Sequence, residues 1–308
     1  MIAFLLSRLF SACLVVVGVS CIVFFLIHLT PGDPVEVMLG ESAAVADREA
    51  LRESLGLNQP LGTQFFQYFA NLLQFDLGVS LHSGRAISEL IAERFSATLQ
   101  LTITAWCVAI ALAFPLGMIA AMRRDSYWDY GCMTVAMLGV SIPNFVMGPV
   151  LILVFSLWLG WLPVSGDESW NAIILPAVTL GTALAAVLSR MVRATLLEVL
   201  SEDYIRTARA KGLTERAVML NHAIRNAMLP VLTLLGLQLG ALLAGAVITE
   251  VVFSWPGIGQ LTIEAIHKRD YPVVQACVLL ISLCYVTVNT LTDLVYAYFD
   301  PRVRLSDV

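Results

Sequence analysis

The sequence predicts an all-α, polytopic membrane protein with six transmembrane helices. Of its 308 residues, 58% are apolar and 13% are charged, whereas an ordinary soluble domain has roughly 45–50% apolar and about 25% charged residues. The mean hydropathy is +0.82, and uncharged runs of about twenty residues or more are typical of segments whose solvent is lipid. The formal net charge of −5 argues against a nucleic-acid-binding protein, which normally has a basic balance.

Six apolar runs are long enough to span a membrane, and the whole chain, 1–308, is expected to form one integral membrane domain. The shortest run covers about 28 Å as a helix, close to the thickness of roughly 30 Å of a hydrocarbon core. The third run contains Pro143 and Pro149, which predict a kink or an interruption because proline disrupts a helix interior. The six spans are residues 9–29, 98–122, 130–160, 171–189, 227–249 and 272–299.

Lysine and arginine are distributed unevenly between the alternate connections, and this bias predicts the orientation of the chain. One set of connections contains twelve of the eighteen basic residues. In the short connections, Arg123 and Arg124 indicate the inside, whereas Asp167 and Glu168 indicate the outside. We therefore expect both termini and a loop at 190–226 to be cytoplasmic, and a long segment at 30–97 to lie outside the cytoplasm.

The cytoplasmic loop 190–226 contains the start and stop signals of a short helix. It has an N-cap residue, acids in the first turn, a base in the last turn and a glycine that can adopt the left-handed conformation of a helix end. These residues are Ser201, Glu202, Asp203, Arg209 and Gly212. Thr214 and Glu215 predict the start of a second helix. Two short capped helices indicate a docking surface, although a solvated connection stays an alternative at this point.

Eight short motifs extend from the end of the first span to the C-terminal tail. They are YIRTARAKGL (204–213), RNAMLP (225–230), TPGDP (30–34), LGLNQPL (55–61), FDLGVS (75–80), VFSWPGIGQL (252–261), RDYPVVQ (269–275) and DPRVR (300–304). Together they resemble the permeases of ATP-binding cassette importers, specifically the dipeptide/oligopeptide/nickel group. The resemblance implies the type I, binding-protein-dependent permease fold and a location in the bacterial inner membrane.

The resemblance also implies that residues 201–212, the coupling segment, contact the subunits that hydrolyse ATP. Arg206, Thr207 and Ala208 occupy the positions where the general importer pattern has Glu-Ala-Ala, and only the alanine matches. The residues assigned to this contact are Ser201, Glu202, Asp203, Tyr204, Arg206, Thr207, Ala208, Arg209 and Gly212. The implied partners are a second homologous permease, two ATP-binding subunits, an extracytoplasmic substrate-binding protein and the lipid bilayer.

The chain is expected to be a non-catalytic transport subunit. Its two lysines, Lys211 and Lys268, lie outside any G-K-[ST] context, so the sequence has no P-loop to hold nucleotide phosphates. No cofactor or metal is expected on this chain, and ATP and Mg²⁺ are expected in the partner subunits. The sequence also lacks the H-E-x-x-H motif of zinc proteases.

Polar residues in the third span are the candidates for the transport pathway. Ser141 and Asn144 flank Pro143, where backbone carbonyls freed by the proline can face a cavity. Asp293 in the last span has two interpretations. It lies at the cytoplasmic interface, or it is a functional charge within the membrane.

A turn-rich connection between the last two spans is predicted to lie on the outer side. Its proline and glycines favour turns, and the resemblance implies that the substrate-binding protein docks on this face together with part of 30–97. The candidate residues are Trp255, Pro256, Gly257 and Gly259. We call residues 252–261 the outer turn.

The function that the sequence favours is ATP-driven import of dipeptides or oligopeptides. Nickel, a nickel chelate and glutathione are alternatives within the same family. The predicted spans contain no histidine or cysteine cluster suited to bare nickel, which favours peptides. An ion-coupled secondary transporter is an alternative of another class, and it is disfavoured because such proteins usually have several ionisable residues at mid-membrane.

Overall fold

The computed structural model of the chain is helical in its regular elements throughout the residues that it describes. Those residues are 2–29, 35, 44–54, 57–167 and 169–299. The TPGDP and DPRVR motifs and the first two residues of LGLNQPL lie outside the described residues.

Short connections join most of the helices. In chain order they are α1 (Ile2–Leu29), α2 (Val45–Ser54), α3 (Leu61–Leu73), α4 (Ile87–Met122), α5 (Tyr127–Ser141), α6 (Asn144–Leu151), α7 (Ile174–Leu200), α8 (Asp203–Ala210), α9 (Glu215–Ala217), α10 (Ile224–Gly245), α11 (Val247–Val252), α12 (Ile258–His267) and α13 (Tyr271–Phe299). Wider π-helical turns follow α6 at Ile152–Trp158 and α9 at Val218–Ala223.

Four continuous helical stretches in the described part of the chain are long and apolar enough to cross a membrane. They are Ile87–Met122, Ile174–Leu200, Glu215–Leu243 and Tyr271–Val295. The pair formed by α5 and α6 with its π-helical turn is a fifth if the two halves make one span. In the part of α1 whose side chains are described, the apolar stretch is Phe10–Phe25, which is shorter than a spanning helix. The count of six spans therefore stays a prediction.

The predicted interruption of the third span is present at Pro143. Helix α5 ends at Ser141, α6 begins at Asn144, and the two helical halves are bent by 103°. Ile142, the residue before Pro143, is extended with φ −95° and ψ 114°. A following proline favours this conformation, and α5 ends there. Pro149 lies inside α6, shortly before the π-helical turn.

Small residues allow helices α4, α5 and α7 to pack closely. A Cβ atom on Gly117 of α4 would lie 2.7 Å from the carbonyl oxygen of Ser189 in α7, and one on Gly181 of α7 would lie 2.8 Å from the carbonyl oxygen of Ala105. Gly139 of α5 is similarly close to α7. Since any larger side chain would separate the backbones, these three helices form one tightly packed unit.

Candidate functional site

The coupling segment forms a helix that is shorter than predicted. Helix α8 begins at Asp203, and Glu202 occupies its N-cap position without a side-chain hydrogen bond. The predicted N-cap role of Ser201 is wrong. Its amide and its hydroxyl both donate to the carbonyl oxygen of Glu198, at 3.1 and 2.7 Å, so Ser201 ends α7 instead. The physical reason is that α7 continues to Leu200, which leaves two residues between the helices.

Helix α8 has one buried face and one exposed face. Ile205 is fully buried and Ala208 is 5% exposed, and both pack in an apolar cluster with Leu196 of α7 and Val218 of the following π-helical turn. The surface available to a partner is polar. It consists of Ser201, Glu202, Asp203, Tyr204, Arg206, Thr207, Arg209 and Gly212. Ala208, which the sequence analysis assigned to the partner contact, therefore faces the body of this chain.

Side-chain hydrogen bonds attach α8 to the helices that follow it. The guanidinium group of Arg209 donates to both carboxylate oxygens of Glu215, at 2.9 and 3.2 Å. The hydroxyl of Tyr204 accepts from the side-chain amide of Asn226 in α10, at 2.8 Å. The predicted N-cap role of Thr214 is confirmed, because its side chain accepts from the amide of Ala217. Helix α8 is thus connected to two spanning helices, α7 and α10.

Gly212 ends α8 in the left-handed conformation that the sequence predicts. Its φ is +80°. The amide of Gly212 donates to the carbonyl oxygen of Arg209 at 2.9 Å, and the amide of Leu213 donates to that of Ala208 at 3.4 Å, which is the Schellman pattern. A Cβ atom at Gly212 would meet no atom within 4 Å. The positive φ alone therefore favours glycine here.

A buried ion pair, which the sequence analysis missed, joins α7 to α5 near the coupling segment. The Nε and Nη2 atoms of Arg193 both donate to the Asp129 carboxylate at 2.6 Å. The Asp129 side chain is only 3% exposed, whereas that of Arg193 is 27% exposed. Asp129 also accepts from the amide of Asp125 at 3.0 Å. Arg193 was counted as a loop residue in the sequence, but it lies within α7.

The outer turn is built around a second group that the sequence analysis missed, the fully buried carboxylate of Glu250. The hydroxyl of Thr98 in α4 donates to it at 2.7 Å, and the amide of Gln260 donates to it at 3.1 Å. Because Gln260 lies in the first turn of α12, the carboxylate accepts an otherwise free N–H at the positive end of a helix. Burial raises the pKa of Glu250, while these hydrogen bonds oppose the rise.

Two glycines of the outer turn lie against this carboxylate, and Trp255 joins the turn to α4. The indole N–H of Trp255, which is 4% exposed, donates to the carbonyl oxygen of Ala97 at 2.8 Å. A Cβ atom at Gly257 would overlap the Glu250 carboxylate, and one at Gly259 would lie 2.8 Å from it. Among the candidates for the binding-protein face, Trp255, Gly257 and Gly259 are buried and Pro256 is half-buried. These residues therefore pack inside the turn and stabilise its shape.

Another buried carboxylate, Asp270, holds the other end of α12. It is 3% exposed and accepts from the amides of Leu81 and His82 at 3.1 and 3.3 Å, and from the hydroxyl of Ser80. Two of the motifs noted in the sequence, FDLGVS and RDYPVVQ, thus meet here. Helix α12 lies between two buried acids, each bonded to a different part of the chain.

The pathway candidates lie on either side of the break between α5 and α6. Ser141 is exposed, and its hydroxyl donates to the carbonyl oxygen of Met137 in its own helix, at 2.9 Å. Asn144 is the first residue of α6 and is half-buried. Asp293 is half-buried within α13. Both interpretations of Asp293 stay predictions.

Comparison with known families and proteins gives matches over nearly the whole chain. Residues 113–305 match the family described as "binding-protein-dependent transport system inner membrane component", and residues 1–102 match the N-terminal part of such membrane components. The chain is 46% identical over 304 residues to the "glutathione transport system permease protein GsiC" of Escherichia coli O6:H1 (strain CFT073) and of strain K12. Each alignment covers 99% of this chain and 99% of the relative.

Two solved structures have the same fold at low sequence identity. The methionine ABC transporter MetNI in an inward-facing conformation matches with a TM-score of 0.60 and 17% identity, over 69% of this chain and 97% of that one. An amino acid ABC transporter with histidines matches with a TM-score of 0.54 and 17% identity, over 68% and 94%. The fold of about two thirds of this chain is therefore shared with both solved structures.

Proposed function

The chain belongs to the family of binding-protein-dependent transport system inner membrane components, and we propose that it imports glutathione or a closely related short peptide. As a member of this family it is a transmembrane subunit of an ATP-binding cassette importer, and it is non-catalytic. The observation that supports the substrate is the end-to-end identity of 46% with permeases named for glutathione transport. Glutathione is itself a tripeptide, so this proposal refines the peptide function expected from the sequence.

We propose that the exposed polar face of α8 contacts an ATP-binding subunit and carries its movement into the membrane. Only two residues separate α8 from α7, Ile205 anchors α8 in the interior, and the Arg193–Asp129 pair joins α7 to α5. A displacement of α8 would therefore move α7 and α5 together. Nucleotide binding can bias an inward–outward equilibrium only through a contact that differs between the two states, and we assign this contact to the exposed face of α8.

The remaining partners follow from the same proposal. A second homologous permease would complete the pathway beside the break that carries Ser141 and Asn144. Two ATP-binding subunits would bind ATP and Mg²⁺ on the cytoplasmic side, where both termini of this chain would also lie. A substrate-binding protein would dock near the outer turn, where Ser254, next to the buried Trp255 in the sequence, is exposed.

Reconstitution tests the substrate directly. The chain is purified together with its co-expressed partner subunits, placed in liposomes with the binding protein, and supplied with ATP and Mg²⁺ on the cytoplasmic side. We expect ATP-dependent accumulation of radiolabelled glutathione, with competition by unlabelled short peptides. Accumulation of Ni²⁺ but not of glutathione or peptides would contradict the proposal. Uptake driven by an ion gradient without ATP would indicate a secondary transporter instead.

Replacing Gly212 by valine is expected to lower the amount of substrate taken up per ATP hydrolysed. Valine at a φ of +80° is strained by about 1–3 kcal/mol, and relief of this strain would displace the end of α8. Gly212→Asn is the matched control, because asparagine tolerates the left-handed region and no neighbouring atom obstructs a side chain there. Both rates are measured in the same liposomes. A normal uptake-to-hydrolysis ratio in Gly212→Val would contradict a coupling role for this end of α8.

A further inference from the structure

Helix α3 is an amphipathic helix to which none of the functions above assigns a specific contact. No charged residue occurs between Glu53 and Asp76, a stretch that includes the whole of α3 and is rich in phenylalanine. The helix presents three sectors around its axis. One sector packs on the rest of the chain, one is apolar and exposed, and one is polar and exposed.

The packed sector holds α3 against the end of a long apolar helix. The rings of Phe65 and Tyr68 lie 5.2 and 5.7 Å from the ring of Phe24 in α1, measured between centroids. The ring of Phe65 also stacks on that of Phe25, at 6.1 Å. Because α1 ends at Leu29, these contacts place α3 beside the last turns of α1, where a spanning helix leaves the hydrocarbon core.

In the described part of the chain, the exposed apolar sector is left largely uncovered by other residues. Phe66 is 74% exposed and Leu73 is 82% exposed. They lie seven residues apart, so a helix presents them on the same side. Thr63, Gln67 and Asn71 are also exposed, and their spacing of four residues places them in a separate polar stripe. Water would solvate the polar stripe well and the two large apolar side chains poorly.

We propose that α3 is an interfacial helix that lies along the membrane surface, with Phe66 and Leu73 inserted among lipid acyl chains. The apolar surface is continuous with α1, where Ile22 and Phe25 are 61% and 50% exposed, as expected of a helix that faces lipid. Phenylalanine and leucine are typical of the apolar face of interfacial amphipathic helices. Because the polar stripe carries no charge, it can face both zwitterionic and anionic headgroups. Insertion of α3 depends on apolar area, not on attraction to anionic lipid.

Photochemical crosslinking tests this placement in the full-length chain with its partner subunits in native membranes. The photoreactive residue p-benzoylphenylalanine replaces Phe66 or Leu73, and Gln67 is the matched control on the polar stripe of the same helix. Ile22 in α1 is the reference position. After irradiation, the purified protein is analysed by mass spectrometry for attached phospholipid. We expect lipid adducts at positions 66 and 73 comparable to those at position 22, and a severalfold loss of adducts at position 67.

Two outcomes would overturn the proposal. Adducts between positions 66 or 73 and a protein would show that another subunit or the binding protein covers this sector. An absence of lipid adducts at positions 66 and 73, in an experiment where position 22 reacts, would show that the sector is not in lipid. Uptake measured for each variant verifies that the transporter is assembled. The insertion should persist in nanodiscs that contain only zwitterionic phosphatidylcholine.

Discussion

Replacing Glu250 by alanine is expected to unfold the outer turn and abolish uptake. The substitution removes the acceptor for the hydroxyl of Thr98 and for the amide of Gln260, both at hydrogen-bond distance from this carboxylate. A buried donor left without a partner costs about 1–3 kcal/mol, and the missing side chain adds a cavity. Because Glu250 joins α11 to α4 and to α12, we expect a lower melting temperature of the purified chain together with loss of transport.

Three variants separate this effect from a general effect of removing charge. Glu250→Gln preserves the size of the side chain and one acceptor oxygen, so its effect should be smaller. Gly257→Ala leaves the acid in place but drives a methyl group into the carboxylate, so it should resemble Glu250→Ala. Glu89→Ala, at a side chain that is 63% exposed, should leave both properties near the wild-type values. A wild-type melting temperature for Glu250→Ala would contradict this account of the outer turn.

The helical membrane fold could be predicted from the sequence, because lipid imposes a simple rule. Every backbone polar group in the hydrocarbon core needs an internal partner, so long uncharged runs form helices. The break at Pro143 was predictable from the proline, which favours an extended residue before it. Pro115 and Pro230, however, lie inside continuous helices, so a proline alone does not decide where a helix ends. The helix ends were less predictable. Helix α7 continues to Leu200, past the end of its apolar run, because Val192 and Leu196 pack inside the bundle.

In the coupling segment, some helix ends could be predicted from neighbouring residues and others could not. Gly212 and Thr214 have the predicted conformations, because each depends on the backbone of a few neighbouring residues. Ser201 is also a favourable N-cap type, but only two residues separate the end of α7 from the start of α8. Its hydroxyl donates to the carbonyl oxygen of Glu198 in the preceding helix instead. Ile205 was overlooked for another reason. Its burial requires apolar partners such as Val218, which only the folded chain brings to it.

The two buried acids of greatest structural consequence were missed because their partners are distant in sequence. Glu250 was not singled out in the sequence, and Thr98 lies 152 residues before it. Asp129 was not singled out, and Arg193, 64 residues later, was counted among the basic residues of a loop. A charge count predicts the side of the membrane on which such residues lie. It does not reveal which of them turn inward and pair.

Replacing Arg193 by alanine is expected to lower the free energy of unfolding by about 3–5 kcal/mol, because it leaves the Asp129 carboxylate buried without its cation. Asp129→Ala should cost less, since the Arg193 side chain is 27% exposed, whereas that of Asp129 is 3% exposed. The long Arg193 side chain can extend toward water. The double variant should be more stable than Arg193→Ala alone, because it removes the unpaired charge. Denaturant titration of the purified chain in detergent measures all three.

The Arg209–Glu215 pair is a matched control for the effect of burial on stability. It has the same bidentate geometry, at 2.9 and 3.2 Å, but its side chains are 42% and 62% exposed. Arg209→Ala should therefore cost only about 0.2–1 kcal/mol, as for other exposed pairs. If Arg193→Ala and Arg209→Ala have equal effects, burial does not decide the strength of these pairs. If Arg193→Ala is destabilising and also lowers uptake per ATP hydrolysed, whereas Glu89→Ala, at a side chain that is 63% exposed, does neither, the connection between α7 and α5 is part of the path that couples ATP hydrolysis to transport.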